Sequence, residues 1–275
     1  MRYECVQLPV PGGEIELKVY AADVPPGDDA PGLRTAVVIC GGGGYSHISA
    51  RETEPIALRL AAYGINACTV AYRHDPEAHW PVPVQDVGAA VAWMRSHAPE
   101  HHTDPGRIAV MGFSAGGHAA ACVGTCWQDA ALWAPVGLTP EQVRPNAMVL
   151  CYPVISAKEG VAHRRSFACL TGTGDIAAHL PCSVEDLVTP DAPPTFLWHT
   201  WDDASVPVEN SLLLALALRR AGVSAEVHLY QHGRHGLSLC DATTAWGGVA
   251  GRTEPDVAGW FPLLLRFLER LEAGA

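Results

Sequence analysis

Short, almost unbroken apolar runs alternate along most of this chain with longer segments whose apolar residues recur every three or four positions. Few architectures accept that pattern. The runs cover residues 35–40, 66–71, 107–111, 147–151, 195–199 and 225–230. A strand solvated on one face alternates apolar with polar residues, whereas a run apolar at nearly every position is buried on both faces. The intervening segments 54–63, 84–96, 210–221 and 257–271 are amphipathic at helical spacing, with Ile56, Leu60 and Tyr63 on one face of the first and Val87, Val91 and Met94 on one face of the second. Strands buried on both faces and alternating with helices predict a mostly parallel sheet flanked by helices.

Two earlier segments, 3–8 and 14–20, alternate and are joined by "PVPGG", which predicts an antiparallel hairpin and brings the sheet to eight strands. The stretch from about 125 to 194 is less regular, and its parts 125–145 and 156–190 are expected to fold over the sheet as a small partial cap. A chain of 275 residues buries about three quarters of its unfolded surface, enough for one core, so residues 1–275 read as a single domain.

Composition narrows the function. With 48% apolar and 17% charged residues the chain is a folded one, and its formal net charge of −11 argues against nucleic acid or an anionic membrane as partner. The adjacent basic pairs Arg164-Arg165 and Arg219-Arg220 read as solvated faces. Nine cysteines, mostly within apolar runs, predict buried reduced thiols rather than a disulfide framework. The opening "MRYECVQLPVPGGEIELKVY" lacks the apolar core of a signal peptide, and no run approaches the ~20 residues that span a bilayer. A cytoplasmic protein is expected, and self-association into a homo-oligomer is compatible with the sequence. No histidine or cysteine spacing fits a metal site; His101, His102 and His118 read as surface or helix residues.

Against this background "GFSAGGHAA", residues 112–120, stands out. Gly112-x-Ser114-x-Gly116 follows a strand directly and opens a helix. Glycines on either side of a serine make room for a sharp strand-to-helix turn that lifts the hydroxyl above the sheet. The competing role is an ordinary helix N-cap. A nucleophilic serine needs a base, a group that orients the base, and donors for the oxyanion. Donors are available in "CGGGGYSH", residues 40–47, where the amide of Gly42, Gly43 or Gly44 would pair with that of Ala115. Asp202 and Asp203 in "HTWDDASVP" both follow a strand and compete as the orienting acid, with Asp175 a distant third. His235 in "YQHGRHGLSL" is the expected base, with His232 as rival and His228 inside the strand. Tyr45 and Trp201, each beside one of these residues, are expected to wall the pocket, together with Ile176, and His47 to be structural or pocket-lining.

The segments "GGGGYSHISARETEP", "AYRHDPEAHWPVPVQDVGAAVAWMR", "DPGRIAVMGFSAGGHAA", "PPTFLWHTWDDASVPVENS" and "HLYQHGRHGLSL" resemble the α/β-hydrolase superfamily, and within it the bacterial acetyl-xylan-esterase-like carbohydrate esterases related to hormone-sensitive-lipase-type esterases. The resemblance runs from about residue 35 to the C-terminus. It implies a Ser114–His235–Asp203 triad, because relatives carry the acid four residues after a histidine and three before a valine, here His199 and Val206. It also implies a small-molecule ester as substrate, with no cofactor. Many relatives open the oxyanion loop with histidine or proline, where this chain has Gly41. Two other readings use the same fold: a peptidase of the prolyl-oligopeptidase type, whose additional domain this chain has no room for, and a hydrolase-like receptor without activity.

Overall fold

The computed structural model describes residues 1–24, 32–245 and 253–272. Eight strands form one sheet: β1 (Arg2–Val10), β2 (Gly13–Ala21), β3 (Arg34–Cys40), β4 (Asn66–Val70), β5 (Thr103–Phe113), β6 (Ala147–Cys151), β7 (Thr195–Thr200) and β8 (Ala225–Tyr230). Their order is β1-β2-β4-β3-β5-β6-β7-β8. β1 pairs antiparallel with β2, and β2 antiparallel with β4; every other pairing is parallel.

The doubly apolar strands explain themselves in the packing. Along β3, Ala36, Val38 and Cys40 enter the core on one face of the sheet, while Val37 and Ile39 enter the core on the other. Helices α1 (Glu54–Ala62), α2 (Val82–Ser96), α3 (Ser114–Cys126), α4 (Arg164–Thr171), α5 (Glu209–Arg220) and α6 (Trp260–Glu272) cover these faces. Val84, Val87 and Val91 of α2 share one core with α3. Ile56 and Leu60 of α1 share the opposite core with Trp260 and Leu264 of α6. The expected helix over 257–271 is divided: a short turn, Pro255–Ala258, precedes α6.

Of the two stretches expected to form a cap, the first lies elsewhere. Trp133 is buried against α2, where a Cβ on Gly88 would come within 2.4 Å of its ring, and Gln85 Nε2 donates to the Leu132 carbonyl at 2.7 Å. The second stretch carries α4, and its His163 and Arg165 line the cleft described below.

His118 is a helix residue, one of the two placements expected for it, and not a surface one. It is wholly buried inside α3, with Nε2 2.8 Å from the Cys182 carbonyl and Nδ1 2.8 Å from the Tyr45 hydroxyl. A carbonyl only accepts, so Nε2 carries the proton and Nδ1 accepts from Tyr45. Burial pushes the His118 pKa down to about 4, against 6.5 for an ordinary histidine. The folded-state value lies below the unfolded one, so as pH falls the unfolded chain takes up the proton first. His118 should therefore erode stability from about pH 6.5 down to about pH 4, at up to about 1.4 kcal/mol per pH unit. Urea unfolding at stepped pH tests this: the wild type should lose stability across that window more steeply than His118→Asn, and equal slopes would disprove the assignment.

Candidate active site

The site sits where the chain changes direction across the sheet. From β3 the chain crosses through α1 to β4 on one side; from β5 it crosses through α3 to β6 on the other. The loops leaving the carboxyl ends of β3 and β5 therefore part from each other and leave a crevice between them.

Ser114 opens α3 at the tip of the β5–α3 turn, with φ +53°, a left-handed value that a serine adopts only under constraint. The glycines around it are demanded by space. A Cβ on Gly112 would come within 2.1 Å of the Gly116 carbonyl oxygen, and one on Gly116 within 2.2 Å of the Cys40 carbonyl oxygen. Any side chain at either position would drive α3 away from β3 and β5.

His235 Nε2 lies 2.8 Å from Ser114 Oγ, and His235 Nδ1 lies 2.6 Å from Asp203 Oδ2. The carboxylate only accepts, so Nδ1–H donates to it and Nε2 is left to accept from the serine hydroxyl. Asp203 is held from several directions. Its Oδ1 accepts the backbone N–H of Ser205 at 2.8 Å and of Val206 at 3.0 Å, and Oδ2 lies 3.3 Å from His199 Nε2. Burial by itself would raise the Asp203 pKa, but the hydrogen bonds from His199 and His235 outweigh it and hold the carboxyl well below the usual range. The competing pair is elsewhere: His232 Nδ1 lies 3.1 Å from Asp202 Oδ2, both side chains largely exposed. His228 pairs with Glu226, and Asp175 caps the short helix Ile176–His179.

A residue absent from the sequence reading ties the crevice together. Glu52 is buried, and its Oε2 accepts the Gly42 N–H at 2.9 Å. Its Oε1 accepts the Tyr152 hydroxyl at 2.7 Å; that hydroxyl in turn accepts the Ser238 N–H at 2.9 Å. The Tyr152 ring meets the His235 ring edge-on, 5.0 Å between centroids. The Gly42 amide is thus already engaged, whereas Gly43 and Gly44 line the cleft beside Ser114. Ala115, the residue after Ser114, lies in the first turn of α3.

The three residues expected to wall the pocket do not line this cleft. Tyr45 is buried, its hydroxyl turned inward to His118. Trp201 is 60% exposed on the loop after β7, facing solvent. Ile176 borders an adjoining hollow with Arg164 and His179, which shares Arg165 with the cleft. The cleft, about 490 Å³, is instead lined by polar and charged groups, among them His47, Arg51, His163, Arg165, Ser205 and Arg234. Arg165, solvent-exposed as expected, and His163 come from the second of the two irregular stretches. Their distance in sequence from every motif is why neither was expected at the cleft.

Residues 23–218 match the family model described as BD-FAE. The chain belongs to this family. An acetylxylan esterase of Xylanibacter ruminicola is 32% identical over 212 residues, 74% of this chain and 41% of that protein. An acetyl ester-xyloside bifunctional hydrolase of Caldicellulosiruptor lactoaceticus shares 36% identity at a TM-score of 0.77, covering 95% of this chain and 89% of that one. A carboxylesterase of Lactobacillus plantarum shares 30% at a TM-score of 0.85, covering 98% of each chain. The fold is that of the α/β-hydrolases. The chain spans 34% to 49% of the length of four curated relatives that it matches.

Because the Gly116 Cα abuts the β3 carbonyls, Gly116→Ala should displace the elbow. Activity on 4-nitrophenyl acetate is expected to fall by about 10²-fold, the scale of a misplacement near 1 Å. Circular dichroism and kinetics on the purified variant check this, and full activity would show that the turn tolerates a methyl group.

Proposed function

We propose that this chain is a serine esterase that hydrolyses short-chain acyl esters, acetyl esters of carbohydrates foremost, through an acyl-enzyme. The observation that carries the reading is the unbroken hydrogen-bonded line from Ser114 Oγ through His235 to Asp203. The relatives named above as acetylxylan esterase and acetyl ester-xyloside hydrolase support the choice of acyl group and alcohol.

In the first half-reaction His235 Nε2 takes the proton of Ser114 as Oγ attacks the ester carbonyl. The carbonyl oxygen becomes an oxyanion and is met by the amides of Ala115 and of Gly43 or Gly44; Gly42 is excluded by its bond to Glu52. Collapse breaks the bond to the alcohol, which leaves with the proton from His235. Water then gives its proton to Nε2, attacks the acyl carbonyl, and the acid departs as Ser114 regains its hydrogen. Asp203 fixes the imidazole tautomer and stabilises its charged form; held far below the usual carboxylate range, it stays ionised throughout.

Among the described residues lining the cleft there is no Leu, Ile, Val, Met, Phe or Trp. A long acyl chain would find no large hydrophobic side chain to pack against, and so would gain less than the about 0.8 kcal/mol per CH₂ that full burial contributes. On 4-nitrophenyl esters kcat/KM should accordingly peak at acetate to butyrate and decline through octanoate; a rise with chain length would refute the short-acyl reading. Ser114→Ala should lower kcat by about 10⁴- to 10⁶-fold with the fold intact. Asp203→Asn should lower it by about 10⁴-fold and Asp202→Asn far less; the reverse ranking would exchange the two aspartates.

A further inference from the structure

A histidine outside the triad faces the same cleft, and its hydrogen bonding decides which ring nitrogen holds the proton. His163 stands at the N-terminus of α4 and lines the cleft together with Ser114 and His235. Its Nδ1 lies 2.8 Å from the Ser166 hydroxyl. Ser166 is buried, and its hydroxyl has no other partner among the described residues. A hydroxyl shut away from water needs an acceptor for its hydrogen. Ser166 therefore donates to Nδ1, and the single proton of the neutral imidazole sits on Nε2. Burial, and next the nearby charges of His235 and Arg165, hold His163 below the ordinary histidine range, so the ring stays neutral at neutral pH.

Nε2 is left open. No group among the described residues engages it, and it is not sealed from solvent. The ring stands on a fixed support. Asn210 Nδ2 donates to the Val161 carbonyl at 3.0 Å, and Asn210 Oδ1 accepts the Ile155 and Ser156 amides at 2.9 Å each. The preceding Val154 amide donates to the Ser114 carbonyl at 3.0 Å. The segment leading to His163 is thus tied, through Asn210 and this short stretch of backbone, to the backbone of Ser114 itself. On the other side, a Cβ on Gly44 would lie 3.6 Å from Ser166 Oγ, so the residue that orients the ring abuts the glycine loop. A donor held in place before the ligand arrives loses little freedom on binding it. A neutral N–H suits an uncharged oxygen, and a sugar offers several where a plain alcohol offers none.

We infer that His163 is a specificity-determining residue whose Nε2–H donates a hydrogen bond to an oxygen, hydroxyl or ring, of the sugar that carries the acetyl group. Ser166 is the positioning residue that keeps the proton on that nitrogen. The inference rests on the esterase reading above and adds to it the side chain that tells a polyhydroxy alcohol from a plain one.

The test compares O-acetylated methyl xyloside with cyclohexyl acetate, a ring of similar size with no oxygen beyond the ester, on the wild type, His163→Phe and His163→Gln. His163→Phe should lower the sugar-to-cyclohexyl ratio of kcat/KM by about three- to tenfold, the scale of one neutral hydrogen bond, with the loss in KM. His163→Gln, which can carry an N–H to the same place, should recover most of the ratio. A second measurement needs no variant: in ¹⁵N NMR of the assigned wild-type imidazoles, His163 should be the Nε2–H tautomer. Methyl xyloside, the product alcohol, should shift its Nε2 resonance, and cyclohexanol at the same concentration should not. Ser166→Ala should admit the second tautomer and lower the ratio less than His163→Phe does. An unchanged ratio in His163→Phe, an equal loss on both esters, an Nδ1–H tautomer in the wild type, or a resonance indifferent to methyl xyloside overturns the inference. If that happens while the wild type hydrolyses 4-nitrophenyl acetate, the inference falls alone. A wild type that hydrolyses none of the three esters removes the esterase reading and this one with it.

Discussion

A single buried carboxylate holds two sides of the crevice to each other. Glu52 follows the glycine loop in sequence, returns one oxygen to that loop's Gly42 amide, and offers the other to Tyr152, whose hydroxyl anchors Ser238 just beyond His235. A charged acceptor buried with both oxygens satisfied contributes rigidity at modest net cost, whereas the same group with a partner removed would be left desolvated and uncompensated. The arrangement is therefore all-or-none. The glycine loop and the loop that carries the His235 imidazole keep a common frame although neither belongs to the sheet.

Much of the architecture was legible because it is written in local chemistry. Runs such as 36–40 and 147–151 are apolar at every position because both faces of their strands are covered, and the structure places them in β3 and β6. The elbow was legible for a similar reason: only glycines at 112 and 116 allow the backbones to approach as they do. Proximity in sequence was a poor guide to the rest of the cleft. Tyr45 and Trp201 adjoin site residues, but the turn at Tyr45 (φ +58°) sends its side chain into the core, and the β7 loop leaves Trp201 outside. Glu52, His163 and Arg165 carry no local signature, since their positions follow from which loops the strand order brings together.

Electrostatics at the floor and at the rim of the cleft obey different rules. Asp203 is shielded from solvent, and its charge is sustained by donors fixed in the backbone and by His199, so its ionisation is insensitive to the surroundings. Arg165 and Arg234 stand at the wet edge, where their fields reach solvent and are subject to screening.

The parallel strands also have a second end. There a hollow of about 400 Å³ lies among Arg34, Tyr63, Arg107 and Leu268, and it contains no member of the site. Substitutions that fill or brace that hollow can therefore change packing at one end of the sheet without touching Ser114, His235 or Asp203 at the other.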